Sequence, residues 1–205
     1  MQVQVLKRFL TPAEEAKFFG AIKSRSGFTA QRDLHLLRLI RCCGGRVGAV
    51  CQLTVADARK ALVSGELSFR DEISKGGRGY DVPLTNAIRD ELKALISLRR
   101  DAELSQAPDR PLVISRTRAK GGEGMTPRGV QLRCAYWSAI AGLGFTASPH
   151  WLRHTLGQRL IERSTAKEPL LHAANVLGHR DIKTTMIYTL PTRETVRMSL
   201  SEAGL

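Results

Sequence analysis

The sequence holds no run of about 18 apolar residues, so nothing in it reads as a membrane-spanning helix. Its opening, MQVQVLKRFLTPAEE, lacks the apolar core and small-residue cleavage site of a secretory signal, and a cytoplasmic protein is the expectation. Cysteine is sparse: four residues, at 42, 43, 51 and 134, with no CxxC pair. The adjacent Cys42–Cys43 suits neither zinc ligation nor a disulfide framework, so buried reduced thiols and no metal site are expected. Internal repeats and long low-complexity stretches are missing too, and 205 residues suffice for one domain, here residues 1–205, with a real core. Acidic residues are in deficit. Lys and Arg number 32 against 19 Asp and Glu, a formal charge of +13, which predicts an anionic polymer as partner. The positive charge is spread along the chain, which favours a folded basic surface over a basic tail. Charge alone separates neither DNA from RNA nor binding from catalysis.

What is present reads as helices with one β interruption. Thr11-Pro12-Ala13-Glu14 has a capping hydroxyl, a first-turn proline and a glutamate three residues on, opening a helix that carries Ala16, Phe19 and Ile22 at helical spacing. Residues 34–43 are apolar almost all round and predict a buried helix, stopped by Gly44-Gly45. Leu67, Phe69 and Ile73 lie in a strand-like segment. Lys75-Gly76-Gly77-Arg78-Gly79 then predicts a hairpin turn, with Lys75 near its tip and a strand at Tyr80–Leu84. A helix from about Thr85 puts Ile88, Leu92, Leu95 and Ile96 on one face. RPLVIS at 110–115 reads as a short strand, and 116–125 as a mobile basic loop. Thr126-Pro127 and Ser148-Pro149 each open a helix, the second with a Leu152, Leu156, Leu160 ridge. A helix at about 169–177 ends at Gly178, Asp181 caps a short helix ending near Tyr188, and Arg193 to Ala203 forms a weakly amphipathic tail through Val196 and Leu200. The class is mainly α with a small antiparallel β-sheet (α+β).

The chemistry gathers in the second half. In His150-Trp151-Leu152-Arg153-His154, positions three apart share a helix face, so His150 and Arg153 can address one site. A guanidinium forks onto two phosphate oxygens, and imidazole holds or accepts a proton near neutrality. Leu177-Gly178-His179 follows, and Tyr188 comes nine residues after that histidine. A phenol with a pKa of about 10 becomes a nucleophile only where cations favour phenolate. Any one of these features alone is compatible with ordinary surface or core placement.

Taken in order, Arg46 after a Gly-Gly turn, Lys75 at a hairpin, the His-x-x-Arg box, the Leu-Gly-His box and Tyr188 resemble the tyrosine recombinase (phage integrase) family, over roughly residues 10–190. SPHWLRHT and LGHRDIKTTMIYT are close to that family's wording, and all six expected positions are filled. The resemblance implies the tyrosine-recombinase catalytic-domain fold and site-specific DNA cleavage and rejoining through a 3′-phosphotyrosine, in integration, excision or inversion. It implies Tyr188 as nucleophile, Arg46 and Arg153 on the non-bridging oxygens, and Lys75 as general acid. His150 is then the proton acceptor and His179 a phosphate donor. No metal or other cofactor is implied. Double-stranded DNA is the implied partner, with a tetramer in the synaptic complex and room for accessory DNA-bending proteins. Arg78, Arg116, Arg118, Lys120 and Arg128 are candidate backbone contacts, and residues 191–205 a tail that packs on a neighbouring protomer.

There are departures. The first-arginine box usually continues to an acidic residue, where this sequence has Ala49, and Gly45 stands where a larger apolar residue is common. The interval from His150 to His179 is slightly long, which points to an insertion near 163–168. The N-terminal core-binding domain of most members has no counterpart. The chain therefore resembles short members such as fimbrial phase-variation invertases, and a shortened piece of a longer protein fits equally. Rival readings are a catalytically weak or inactive DNA-binding regulator on the same fold, a type IB topoisomerase-like enzyme, and a basic RNA-binding protein.

Overall fold

The computed structural model describes residues 9–115, 124–179, 181–186 and 200–203. Its elements run α1 (Pro12–Lys23), α2 (Phe28–Cys43), α3 (Val47–Cys51), α4 (Val55–Ser64), β1 (Glu66–Phe69), β2 (Tyr80–Pro83), α5 (Asn86–Asp101), α6 (Pro127–Ile140), α7 (Pro149–Arg163), α8 (Pro169–Val176) and α9 (Lys183–Met186). The mainly α class with one small antiparallel sheet is what the sequence predicts.

The caps act where they were read. Thr11 and Glu14 form a reciprocal capping box, while the Thr126 and Ser148 hydroxyls each accept a backbone N–H of their own first turn. Helix α2 is the centre of the molecule and packs on α1, α5 and α7. Leu36, Leu37, Leu39, Ile40 and Cys43 are fully buried on it, as an all-round apolar helix requires. It begins at Phe28, six residues before the apolar run. The extra turns bury charge: Asp33 is fully enclosed. It accepts Arg32 at 2.6 Å, Arg133 at 2.5 Å and the Trp137 indole N–H at 2.8 Å. Arg32 also donates to the Ile114 carbonyl, so this one carboxylate ties α2 to α6 and to the chain after Leu112. Nearer the α2 C-terminus, Glu15 pairs with Arg41 at 2.9 Å and with Arg159, joining α1 to α2 and α7.

Four expectations shift. Phe18 is the fully buried phenylalanine of α1, Phe19 is half-buried against the same core, and Ala16 is exposed. Ile73 belongs to a 3-10 turn, Asp71–Ile73, rather than to a strand; it is still buried, which is why it carried an apolar signal. Residues 110–115 form no strand, only isolated bridges of Pro111 with Thr54 and Ile114 with Gly124, although Leu112, Val113 and Ile114 are buried. Ile96 and Leu156 are half-buried, so the apolar faces of α5 and α7 are narrower than their spacing suggests. The predicted hairpin is present, pairing Glu66 with Pro83 through Phe69 with Tyr80. Residues 164–168, where the insertion was expected, link α7 to α8. The basic loop (except Gly124 and Met125) and most of the tail lie outside the described residues.

Cys43, Cys51 and Cys134 are buried and Cys42 is half-buried, all free. Burial pushes the first three thiols up to about 12. Among the described residues no His, Cys, Asp and Glu group could hold a metal ion, and no helix is long and apolar enough to cross a membrane.

The Asp33 node sets one expected outcome. Asp33→Ala leaves the Arg32 guanidinium buried without a counter-charge and should cost about 3–5 kcal/mol. A drop in the urea midpoint of that size checks it; a loss under about 1 kcal/mol would show that the arginines find other acceptors.

Candidate nucleic-acid cleavage site

Three chain reversals meet around one side chain. Helix α2 ends at Gly44, whose φ of 62° is the left-handed cap conformation. A Cβ there would lie 2.7 Å from Leu177 and 2.8 Å from Leu156, so the position is glycine by conformation and by space. Helix α8 ends in Leu177-Gly178, with Gly178 at φ 58°. Arg153, on the buried face of α7, donates to the Gly44 carbonyl and, at 2.6 Å, to the Leu177 carbonyl. The fork predicted for phosphate thus also fastens two helix ends, and Arg153 is only 2 % exposed.

Arg46 follows at once as the N-cap of α3, half-buried, its carbonyl accepting Ala49 N–H at 2.9 Å and Val50 N–H at 3.0 Å. Gly45, the first departure, is explained by Phe69: a Cβ would come 2.6 Å from its ring and 2.7 Å from Val50, so the aromatic side chain occupies the space of the larger residue. Ala49, the second, is 3 % exposed in the core, and the geometry of Arg46 is set by the short helix rather than by an acidic neighbour.

His179 stacks no further helix turn but caps back, its N–H donating to the Ala174 carbonyl at 2.9 Å, and its Nδ1 lies 2.7 Å from the hydroxyl of fully buried Thr185 on α9. That contact fixes the ring's orientation. Asp181 Oδ1 accepts Lys183 N–H at 2.9 Å, the short-helix cap read from the sequence. Tyr188, two residues beyond α9, lies outside the described residues, as do Arg116, Arg118 and Lys120.

Lys75 is exposed on the loop between β1 and β2, which is closed at its base by Gly79 N–H on Asp71 Oδ1 at 2.5 Å and by Ser74 on the Phe69 carbonyl at 3.2 Å. Arg78 is exposed on the same loop, and Arg128 is exposed in the first turn of α6, donating to Gln131 at 3.3 Å. His150 is exposed at the start of α7, its ring edge-on to His154 with centroids 4.2 Å apart. It therefore differs from Arg153 in burial, although the two sit one turn apart.

Two residues at this site had no motif to announce them. Thr185 is one; Tyr80 is the other. The Tyr80 ring stacks on Phe69 with centroids 4.9 Å apart, and its hydroxyl is buried, within the field of Arg153 and Arg46. Burial raises the phenol, and the two guanidiniums pull it part of the way back. Both guanidiniums thus lie within electrostatic range of the Tyr80 hydroxyl.

The sequence profile of the phage integrase family matches residues 8–194. This chain belongs to that family. Among its relatives, tyrosine recombinase XerC of Azotobacter vinelandii is 35% identical over 170 residues, covering 83% of this chain and 51% of that protein. Tyrosine recombinase XerA of Pyrococcus furiosus is 28% identical over 174 residues, covering 85% and 55%. This chain spans about half the length of the curated relatives it matches. In architecture it is similar to the crystal structure of XerA recombinase, with a TM-score of 0.73 at 20% identity over 97% of this chain and 66% of that one. It is also similar to that of XerH site-specific recombinase bound to a difH substrate, with a TM-score of 0.72 at 24% identity over 96% and 53%.

Arg153→Lys should destabilise the protein by about 1–3 kcal/mol, because a single ammonium cannot fork onto both carbonyls and one is left buried without a donor. Urea unfolding measures it, and an unchanged midpoint would mean that the carbonyls are not held by this side chain.

Proposed function

We propose that this family member cleaves and rejoins double-stranded DNA at specific sites through a 3′-phosphotyrosine on Tyr188. The observation that carries the reading is the convergence of Arg46, Arg153 and the Leu177-Gly178-His179 turn in one place, with an exposed lysine on the adjoining hairpin. Such a cluster suits in-line phosphoryl transfer, in which catalysis is positioning and charge stabilisation.

In this reading the Tyr188 phenol oxygen attacks the scissile phosphorus and gives its proton to His150. The bond to the 5′-oxygen breaks, and that oxygen takes a proton from Lys75 of the hairpin loop. Arg46, Arg153 and His179 stabilise the non-bridging oxygens; removing one such donor typically costs ~10²–10³ in rate. The 5′-hydroxyl of a partner strand reverses the step, so the phosphate bond energy is retained and no nucleotide cofactor is consumed. Arg78, Arg116, Arg118, Lys120 and Arg128 contact the backbone, four protomers act on two DNA sites, and the protein works in the cytoplasm on DNA.

A second reading, a DNA-binding regulator without cleavage, is favoured by the enclosure of Arg153, whose fork is occupied by carbonyls rather than open to an anion. A nicked suicide duplex separates the two. Wild type should form a covalent protein–DNA adduct that survives denaturing electrophoresis, and Tyr188→Phe none. Binding that weakens steeply with salt but gives no wild-type adduct would favour the regulator.

A further inference from the structure

Tyr80 lies on β2, five residues past Lys75, and none of the roles above uses it. Its ring is fixed on one side by Phe69, the residue that fills the space over Gly45. On the other side it fills the space over Gly178: a Cβ at that glycine would lie 2.7 to 2.9 Å from three of its ring carbons. Its hydroxyl is buried, makes no hydrogen bond of good geometry among the described residues, and sits in the field of Arg153 and Arg46. One side chain therefore reaches the turn before Arg46 through Phe69, touches the turn before His179 and lies near the Arg153 guanidinium, and does so from the strand that leads out of the lysine hairpin.

We propose that Tyr80 is a positioning residue of the cleavage site, its ring holding the Leu177-Gly178-His179 turn and coupling the Lys75 hairpin to Arg153. The observation that carries this is the seat of the ring between Phe69 and the bare Cα of Gly178. An ordinary core aromatic would pack against side chains of several elements. This ring lies against a glycine whose carbonyl neighbour, Leu177, is held by Arg153 and whose other neighbour is His179. Loss of the ring opens a gap under that turn and lets His179 and the Leu177 carbonyl move away from Arg153. The proposal rests on the recombinase reading for its effect on cleavage but not for its effect on the turn, which separates the two in experiment.

The test uses Tyr80→Leu and the conservative Tyr80→Phe beside wild type, each checked for a cooperative thermal transition. Two readouts are taken: amide hydrogen exchange at Leu177, Gly178 and His179, whose N–H groups donate to Ala173, Asn175 and Ala174, and the rate of covalent adduct formation on the suicide duplex at saturating DNA. Tyr80→Leu should lose protection at the three amides while that of α2 is kept. It should form adduct at least tenfold more slowly, with DNA affinity within about twofold of wild type. Tyr80→Phe, which keeps the ring, should restore the protection and most of the rate. Wild-type protection in Tyr80→Leu overturns the proposal, as does a loss of DNA affinity in step with the rate, or a loss of protection spread evenly over the molecule. If wild type itself forms no adduct, the recombinase reading fails, and the exchange pattern alone still decides whether Tyr80 holds the turn.

Discussion

The arrangement depends on a buried guanidinium that has two helix ends to satisfy. The last carbonyls of a helix have no partner within it, and at Gly44 and Leu177 they are inside the protein, where an unmet acceptor costs about 1–3 kcal/mol. Arg153 meets both at once. Because Arg46 follows the first and His179 the second, the hydrogen bonds that stabilise the fold also set the separation of the two groups on either side. Stability and site geometry are the same interaction here, and a change at Arg153 alters both together.

The neighbouring departures make sense on that footing. With Gly44 and Gly45 both lacking side chains, Leu156, Leu177 and Phe69 close over the turn. A larger residue at 45 would displace Phe69, and with it the ring stacked on it. Ala49 is buried on the short helix α3, where a carboxylate would need a buried partner.

Sequence reading recovered what local chemistry dictates. The Thr11, Thr126 and Ser148 caps, the glycine stops at 44 and 178, and the hairpin around Lys75 are properties of a few consecutive residues. The ordered set Arg46, Lys75, His150, Arg153 and His179 was legible as a family resemblance, and the fold brings Arg46, Arg153 and the His179 turn together. Ile73 and residues 110–115 were misread because apolar residues buried in irregular backbone give the same signal as a strand. Phe18 was passed over for Phe19 because the direction of a helix face is decided by what packs against it. The Asp33 node, Thr185 and Tyr80 were not legible at all: their partners lie far away in the chain, and a lone aspartate, threonine or tyrosine carries no spacing to read.

The bond between Arg153 and Gly44 spans 109 residues. At about 5–20 residues per second of synthesis, the ribosome finishes the end of α2 about 5–20 s before it adds the arginine that covers it. For that interval the carbonyl is served by water, and the turn bearing Arg46 has no fixed counterpart. The nascent N-terminal half can lay down α1, α2 and the hairpin, but Arg46, Arg153 and the His179 turn are brought together only when α7 and α8 arrive. The cluster is therefore completed late and as a unit, once residues far apart in the chain have all been made.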